Sequence, residues 1–265
     1  MINEKRLTVM TIAGSDSGGG AGVQADLKTF AAFDCFGTSV ITAVTAQNTL
    51  GVHAIHAVPP EIVAAQVEAL ASDLPPDALK TGMLNSREVV EVVIDAVVTH
   101  GWRRLVVDPV FVSSSGVPLL VDDGIDLVRD ALLPLAAWVT PNLDEAERLT
   151  GRRVRTPSEM ADAGKALLDL GAGVVYLKGG HLDSDIIVDL LVTPDEIRPY
   201  THARVATKAT HGTGCTLSAA ITAALAIGAP TAATAASAYE YVQAAMRAAP
   251  GLGQGQGPLW HGVQA

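Results

Sequence analysis

Aromatic side chains make up only 4% of this 265-residue sequence, and cysteine occurs twice. So little aromatic mass leaves the core to Ala, Val and Leu. Cys35 and Cys215 form no metal-ligand or redox spacing. Cys35 reads as a small core residue, and the pair fits a reduced, cytoplasmic setting. Charged residues are also scarce, at 17%, and their balance is acidic, with a formal net charge of −10. No Lys/Arg run exists, which argues against a nucleic-acid partner. Residues 1–7 are charged and short and carry no apolar signal segment. The longest uncharged stretch, 209–239, is rich in Ala, Thr and Ser and is split by Pro230. It reads as two buried helices, because a membrane span wants about 20 unbroken, strongly apolar residues. Apolar residues reach 49%, so the chain has enough to fill a core.

Short apolar runs alternate with helical patterns. Strands are expected at 7–13, 39–45, 78–81, 105–107, 138–140 and 174–177. Helices are expected at 22–33, 60–72, 86–99, near 124–132, and at 143–150, 158–170, 214–227 and 231–247. Residues 186–192 and 196–200 read as a hairpin across the turn-like Thr193-Pro194-Asp195. Such alternation implies an α/β fold, a mostly parallel central sheet with helices on both faces. With no internal repeat or linker, one domain over 1–265 is expected. His53 and His56 read as surface or strand residues rather than a zinc site.

Two glycine-rich turns stand out. Gly14-Ser15-Asp16-Ser17-Gly18-Gly19-Gly20-Ala21-Gly22 joins the first strand to the first helix. It lacks the dinucleotide G-x-G-x-x-G pattern, and the acidic residue that pattern needs is replaced by Thr45-Ala46-Gln47-Asn48. It also lacks the Gly-Lys-Ser/Thr ending of a Walker A loop, so a tight turn near a ligand and a plain turn both remain open. The second turn, Thr210-His211-Gly212-Thr213-Gly214-Cys215-Thr216, opens the uncharged helix. Gly212 and Gly214 let successive N–H groups converge, an anion nest on a helix N-terminus suited to a transferring phosphoryl group. The alternative is an ordinary cap with Thr213 as its N-cap residue. The helix dipole is expected to lower the pKa of a thiol at Cys215.

In open α/β sheets ligands bind beyond the carboxyl ends of the strands. Asp108-Pro109-Val110, Thr140-Pro141-Asn142-Leu143-Asp144-Glu145 and Leu177-Lys178-Gly179-Gly180-His181 fall at such ends. Asn142 and Glu145, spaced i, i+3, share a helix face and can hold a hydrated Mg²⁺ near phosphates, while Asp144 reads as a cap or surface charge. Gln47 carries a donor and an acceptor that suit an aminopyrimidine edge.

Together these segments, with Gln24-Ala25-Asp26-Leu27-Lys28-Thr29, Lys80-Thr81-Gly82-Met83-Leu84 and the ending Leu252-Gly253-Gln254-Gly255-Gln256-Gly257-Pro258-Leu259, resemble the hydroxymethylpyrimidine/phosphomethylpyrimidine kinases of the ribokinase-like superfamily. The Gly-Thr-Gly-Cys run, in place of the Gly-Thr-Gly-Asp of sugar kinases, marks the vitamin-kinase branch. The resemblance implies a ribokinase-like three-layer sandwich that transfers phosphoryl groups from ATP to 4-amino-5-hydroxymethyl-2-methylpyrimidine and then to its monophosphate. It implies that Gln47 reads the pyrimidine, that Gly14, Ala21 and Thr45 contact it, and that Asp26 and Met83 lie close by. Asp108 and Glu145 would serve Mg²⁺, with Asn142, Thr213, Lys178 and Gly214 toward ATP. Lys178, Gly212, Gly214 and Cys215 would do the chemistry, and a homodimer is implied. One departure stands out: Phe111-Val112-Ser113-Ser114-Ser115 replaces the family's usual Met followed by Lys or a small residue. Two other readings compete: a pyridoxal/pyridoxine kinase of the same branch, and a non-catalytic pyrimidine-binding sensor.

Overall fold

The computed structural model describes residues 6–113, 115–180 and 185–265. Among the described residues nine strands form one sheet: β1 (Thr8–Asp16), β2 (Phe36–Asn48), β3 (Gly51–Ala57), β4 (Ala78–Thr81), β5 (Leu105–Val107), β6 (Trp138–Val139), β7 (Val174–Leu177), β8 (Ile186–Val192) and β9 (Ile197–Ala203). Their order is β3-β2-β1-β4-β5-β6-β7-β8-β9. The six from β2 to β7 run parallel, while β3 and the β8–β9 hairpin pair antiparallel at the two edges.

Side-chain alternation sends β5 into two layers at once. Leu105 and Val107 join one cluster with α2 (Pro60–Asp73), α3 (Arg87–His100), α5 (Leu143–Thr150) and α6 (Pro157–Asp169). Val106 joins the opposite cluster with α7 (Thr213–Ile227) and α8 (Thr231–Arg247). The helix α1 (Gly22–Ala32) packs beside α7 through Phe30, Ala219 and Ala223. This is a three-layer sandwich, and α7 is uncharged because it lies buried within one outer layer.

Local signals set the helix ends. Ser86 caps α3 by accepting from the Val89 N–H at 3.3 Å, and left-handed Gly101 closes it. Thr156 caps α6, with Pro157 at its first position. The structure departs from expectation in three places. β2 runs six residues longer than 39–45, and β3, not anticipated as a strand, pairs with it, carrying exposed His53 and His56. The helix expected near 124–132 starts at Asp122 as α4 (Asp122–Leu127), widens into a π-turn over Val128–Leu132 and tightens to 3₁₀ over Leu133–Leu135. Pro134 has no N–H to give Asp130, so the α ladder cannot continue there. The parallel strands all point their carboxyl ends to one edge, and the polar residues that follow them gather there.

Candidate active site

Asp16 ends β1 and is 3% exposed. Its Oδ1 accepts from the Gly18 N–H (2.8 Å), and its Oδ2 from the N–H groups of Gly20 (3.0 Å) and Ala21 (2.9 Å). The first glycine-rich turn is therefore folded around its own carboxylate, and those amides are not free for a ligand. The same Oδ2 lies 2.9 Å from His211 Nε2. Burial works to raise the Asp16 pKa, but His211 and the amide donors outweigh it and hold the carboxyl below its usual value.

His211 leads into the second turn. Gly212, not Thr213, is the N-cap of α7, with φ +87°. A Cβ there would collide with the Gly20 carbonyl oxygen, so only glycine fits. The Thr213 hydroxyl instead donates to the Thr210 carbonyl. The N–H groups of Gly214 and Cys215 lie in the first turn, where a helix has no carbonyl of its own to offer them. A Cβ on Gly214 would lie 3.2 Å from Lys178 Nζ and 3.9 Å from Asp108 Oδ2, so this nest opens onto that pair. Burial pushes the Cys215 thiol up to about 12, against the expected lowering. Desolvation of the thiolate outweighs the dipole here.

Lys178 follows β7. Its Nζ is 3.2 Å from Asp108 Oδ1 and 3.7 Å from Glu145 Oε2. Burial opposes its charge, but Asp108 and Glu145 more than offset that and hold its pKa well above the usual lysine value. Asp108, after β5, also accepts from the hydroxyls of Thr140 (3.1 Å) and Ser218 (3.1 Å). Burial would raise its pKa, yet Lys178 and Lys80 keep it lowered. Asn142 and Glu145 form a capping box on α5: the Glu145 N–H donates to Asn142 Oδ1, and the Asn142 N–H to Glu145 Oε2. Burial pushes Glu145 up to about 7, with Lys178 opposing and Asp108 adding. Asp144 is exposed and reaches Arg155.

On the other side of the nest, Thr45 donates to the Ser15 carbonyl at 3.0 Å. The two terminal atoms of the Gln47 amide lie 3.2 Å from Thr45 Oγ1 and 3.3 Å from His211 Nε2. Gly14 passes so near Met83 that a Cβ would come within 2.9 Å of its sulfur. A cleft of about 840 Å³ joins both sides, lined by Gly14, Ala21, Thr45, Gln47 and Met83 at one end and Asp108, Asn142, Glu145 and Lys178 at the other, with Gly212–Cys215 between. Asp26 is not among its walls. It is fully buried beneath them, paired with Lys80 at 2.9 Å and bound by Thr11, so its place is structural support and not direct contact. Phe111 is 1% exposed, packs into the core and lines the cleft, and the chain after it folds back through a Val112–Pro118 bridge. Ser114 and His181 lie outside the described residues. The tail closes this end: the Gln256 N–H donates to the Thr49 carbonyl, and the His211 N–H to the Gly257 carbonyl.

Asp16, Thr140, Ser218 and the ring of His211 were not picked out from the sequence. Asp16 and His211 are 195 positions apart, and only the meeting of the two turns reveals them.

A model of the family described as phosphomethylpyrimidine kinase matches residues 16–260. The hydroxymethylpyrimidine/phosphomethylpyrimidine kinase of Rhizobium meliloti is 49% identical over 95% of this chain and 96% of that protein. The thiamine biosynthesis bifunctional protein ThiED of Geobacter sulfurreducens is 46% identical over 97% of this chain, which spans about half, 52%, of that relative's length. Among solved structures, the phosphomethylpyrimidine kinase of Clostridium difficile 630 is 41% identical, with a TM-score of 0.81 over 91% of this chain and 99% of the other. The Staphylococcus aureus pyridoxal kinase in complex with ADP is 35% identical, with a TM-score of 0.91 over 97% of this chain and 94% of the other. The matched span takes in every cleft residue from Asp16 to Cys215, and by it this ATP-dependent kinase belongs to the phosphomethylpyrimidine kinase family.

Proposed function

We propose that this chain phosphorylates 4-amino-5-hydroxymethyl-2-methylpyrimidine and then its monophosphate, supplying the pyrophosphate used in thiamine biosynthesis. The observation that carries the reading is the nest at Gly214–Cys215, set between Lys178–Asp108 and the Gln47 pocket. The hydroxymethyl oxygen attacks the γ-phosphorus as the bond to ADP breaks. The nest N–H groups and Lys178 take up charge on the equatorial oxygens. With its pKa near 12, Cys215 stays a neutral thiol beside the nucleophile. A loose transfer tolerates this, and the hydroxyl proton leaves as the new bond forms.

Glu145, held half-protonated near neutral pH by burial, is short of positive charge, and with Asp108 it suits a hydrated Mg²⁺ beside the phosphates. No group of three side-chain ligands exists among the described residues, so water and ATP oxygens would complete its shell. The ion would neutralise phosphate charge there.

One domain, a homodimer and a cytoplasmic location complete the reading. One continuous sheet supports the first. Two free cysteines and, among the described residues, no helix long and apolar enough to cross a membrane support the last. The test is ATP-dependent phosphate transfer to the hydroxymethylpyrimidine, to its monophosphate and to pyridoxal. Turnover of both pyrimidines above pyridoxal is expected, and preference for pyridoxal would overturn the reading.

A further inference from the structure

We propose that Asp16 and His211 act as a positioning pair that locks the Gln47 amide in one orientation, so that the cleft accepts a heterocycle edge with a ring acceptor toward Thr45 and an amino donor toward His211. The inference rests on the pyrimidine reading for its substrate and on geometry for the rest.

Six contacts decide it. Asp16 Oδ2 already accepts two backbone N–H groups and lies 2.9 Å from His211 Nε2. A carboxylate so placed can only accept, so His211 Nε2 must carry a proton, whether the ring is neutral or charged. That same Nε2 is 3.3 Å from the Gln47 amide. With the amide nitrogen turned to it, two N–H groups would confront each other. Turning the amide over removes the conflict, and oxygen and nitrogen are interchangeable in shape. Gln47 Oε1 then shares the His211 proton with Asp16. Its nitrogen then faces Thr45 Oγ1 at 3.2 Å, and the Thr45 hydroxyl still donates to the Ser15 carbonyl at 3.0 Å. Each close contact around the amide now sets a donor against an acceptor.

Two amide features stay free for a ligand. One is an N–H on the Thr45 side, and the other is an oxygen lone pair on the His211 side. An aminopyrimidine offers a ring nitrogen beside an exocyclic amine, which matches that order. The 4-oxo analogue offers a ring N–H beside a carbonyl, which reverses it. A buried mismatch of that kind is what gives a polar site its selectivity. If Gln47 were free to flip, it could serve either edge.

Three measurements test this. ¹⁵N chemical shifts of the ligand-free protein should show His211 protonated at Nε2. A neutral ring protonated only at Nδ1 would overturn the proposal whatever the substrate proves to be. The wild type should prefer the 4-amino over the 4-oxo hydroxymethylpyrimidine by about 100-fold or more in kcat/KM. His211→Leu, which cannot hold the amide, should shrink that ratio at least tenfold, while His211→Gln, which restores an N–H donor, should keep most of it. An unchanged ratio in folded His211→Leu would overturn the proposal. A ratio within one variant cancels any general damage to the phosphate end. Should His211→Leu fail to fold, the wild-type tautomer and the His211→Gln ratio still decide. Failure of the wild type to turn over any pyrimidine would refute the substrate reading instead, leaving the tautomer result to judge the lock.

Discussion

Gly212 has no room for a side chain, because a Cβ there would run into the carbonyl oxygen of Gly20. The two glycine-rich turns, 192 positions apart in the sequence, are one piece of the active site.

Gly212→Ala should therefore abolish measurable turnover and destabilise the fold strongly. Gly228 offers the comparison: it has a similar left-handed φ of +82°, but a Cβ there meets nothing within 4 Å. Gly228→Ala should show only backbone strain, about 1–2 kcal/mol. Melting temperatures and kcat/KM of both variants check it. Equal losses would mean that the φ angle matters and the contact with Gly20 does not.

Lys178→Ala should lower kcat by about 100-fold or more, as expected on losing a preorganised charge at the transferred group. The KM for pyrimidine should move little, because Lys178 is engaged with Asp108 and Glu145, whereas Gln47 is engaged with Thr45 and His211. A raised KM with normal kcat would reassign Lys178 to ground-state binding.

Glu145 gives a pH signature. Its folded pKa of about 7 lies above the ordinary glutamate value of 4.5. Between those values the native state binds a proton that the unfolded chain does not, so stability falls as pH rises through this window. The loss is on the order of 3 kcal/mol. Glu145→Gln mimics the protonated form and preserves the capping box. Without ligand it should melt above the wild type at pH 8 and level with it at pH 4, while losing activity. Parallel curves would show that Glu145 is ionised throughout.

Cys215→Ser should retain activity within about tenfold, because the neutral thiol contributes little to a loose phosphoryl transfer. The wild-type rate should show no limb from this thiol between pH 7 and 10. A limb near pH 8–9 that vanished in the serine variant would restore a thiolate base.

Most of the fold was legible because its signals are local. The apolar runs of β1, β4, β5 and β7 each announce themselves within a few residues, whereas Asn142 and Glu145, expected to share a helix face, instead form the cap of α5. β3 carries no period-2 alternation, since its half-buried Val52 and Ile55 stand three apart with His53 and His56 exposed, so no local pattern marked it as a strand. The residues gathered at strand ends were legible for the same reason, since sheet topology delivers them to one edge. Burial was not. It sank Asp26 beneath the cleft, and it turned the expected low thiol pKa of Cys215 into a high one. Nor could a local pattern reveal that Asp16 gathers its own turn and reaches His211, because that contact exists only after the sheet has closed.

The tail has a consequence in time. The last strand, β9, ends at Ala203, yet the backbone of His211 is held by Gly257, and Thr49 by Gln256. During synthesis all nine strands leave the ribosome before the segment that fastens the pocket wall. A nascent chain at that stage can assemble its sheet but has no strut under His211. The pocket wall is fastened only after the sheet is complete, so a chain clipped after Gly251 should refold its secondary structure and still fail to retain the pyrimidine.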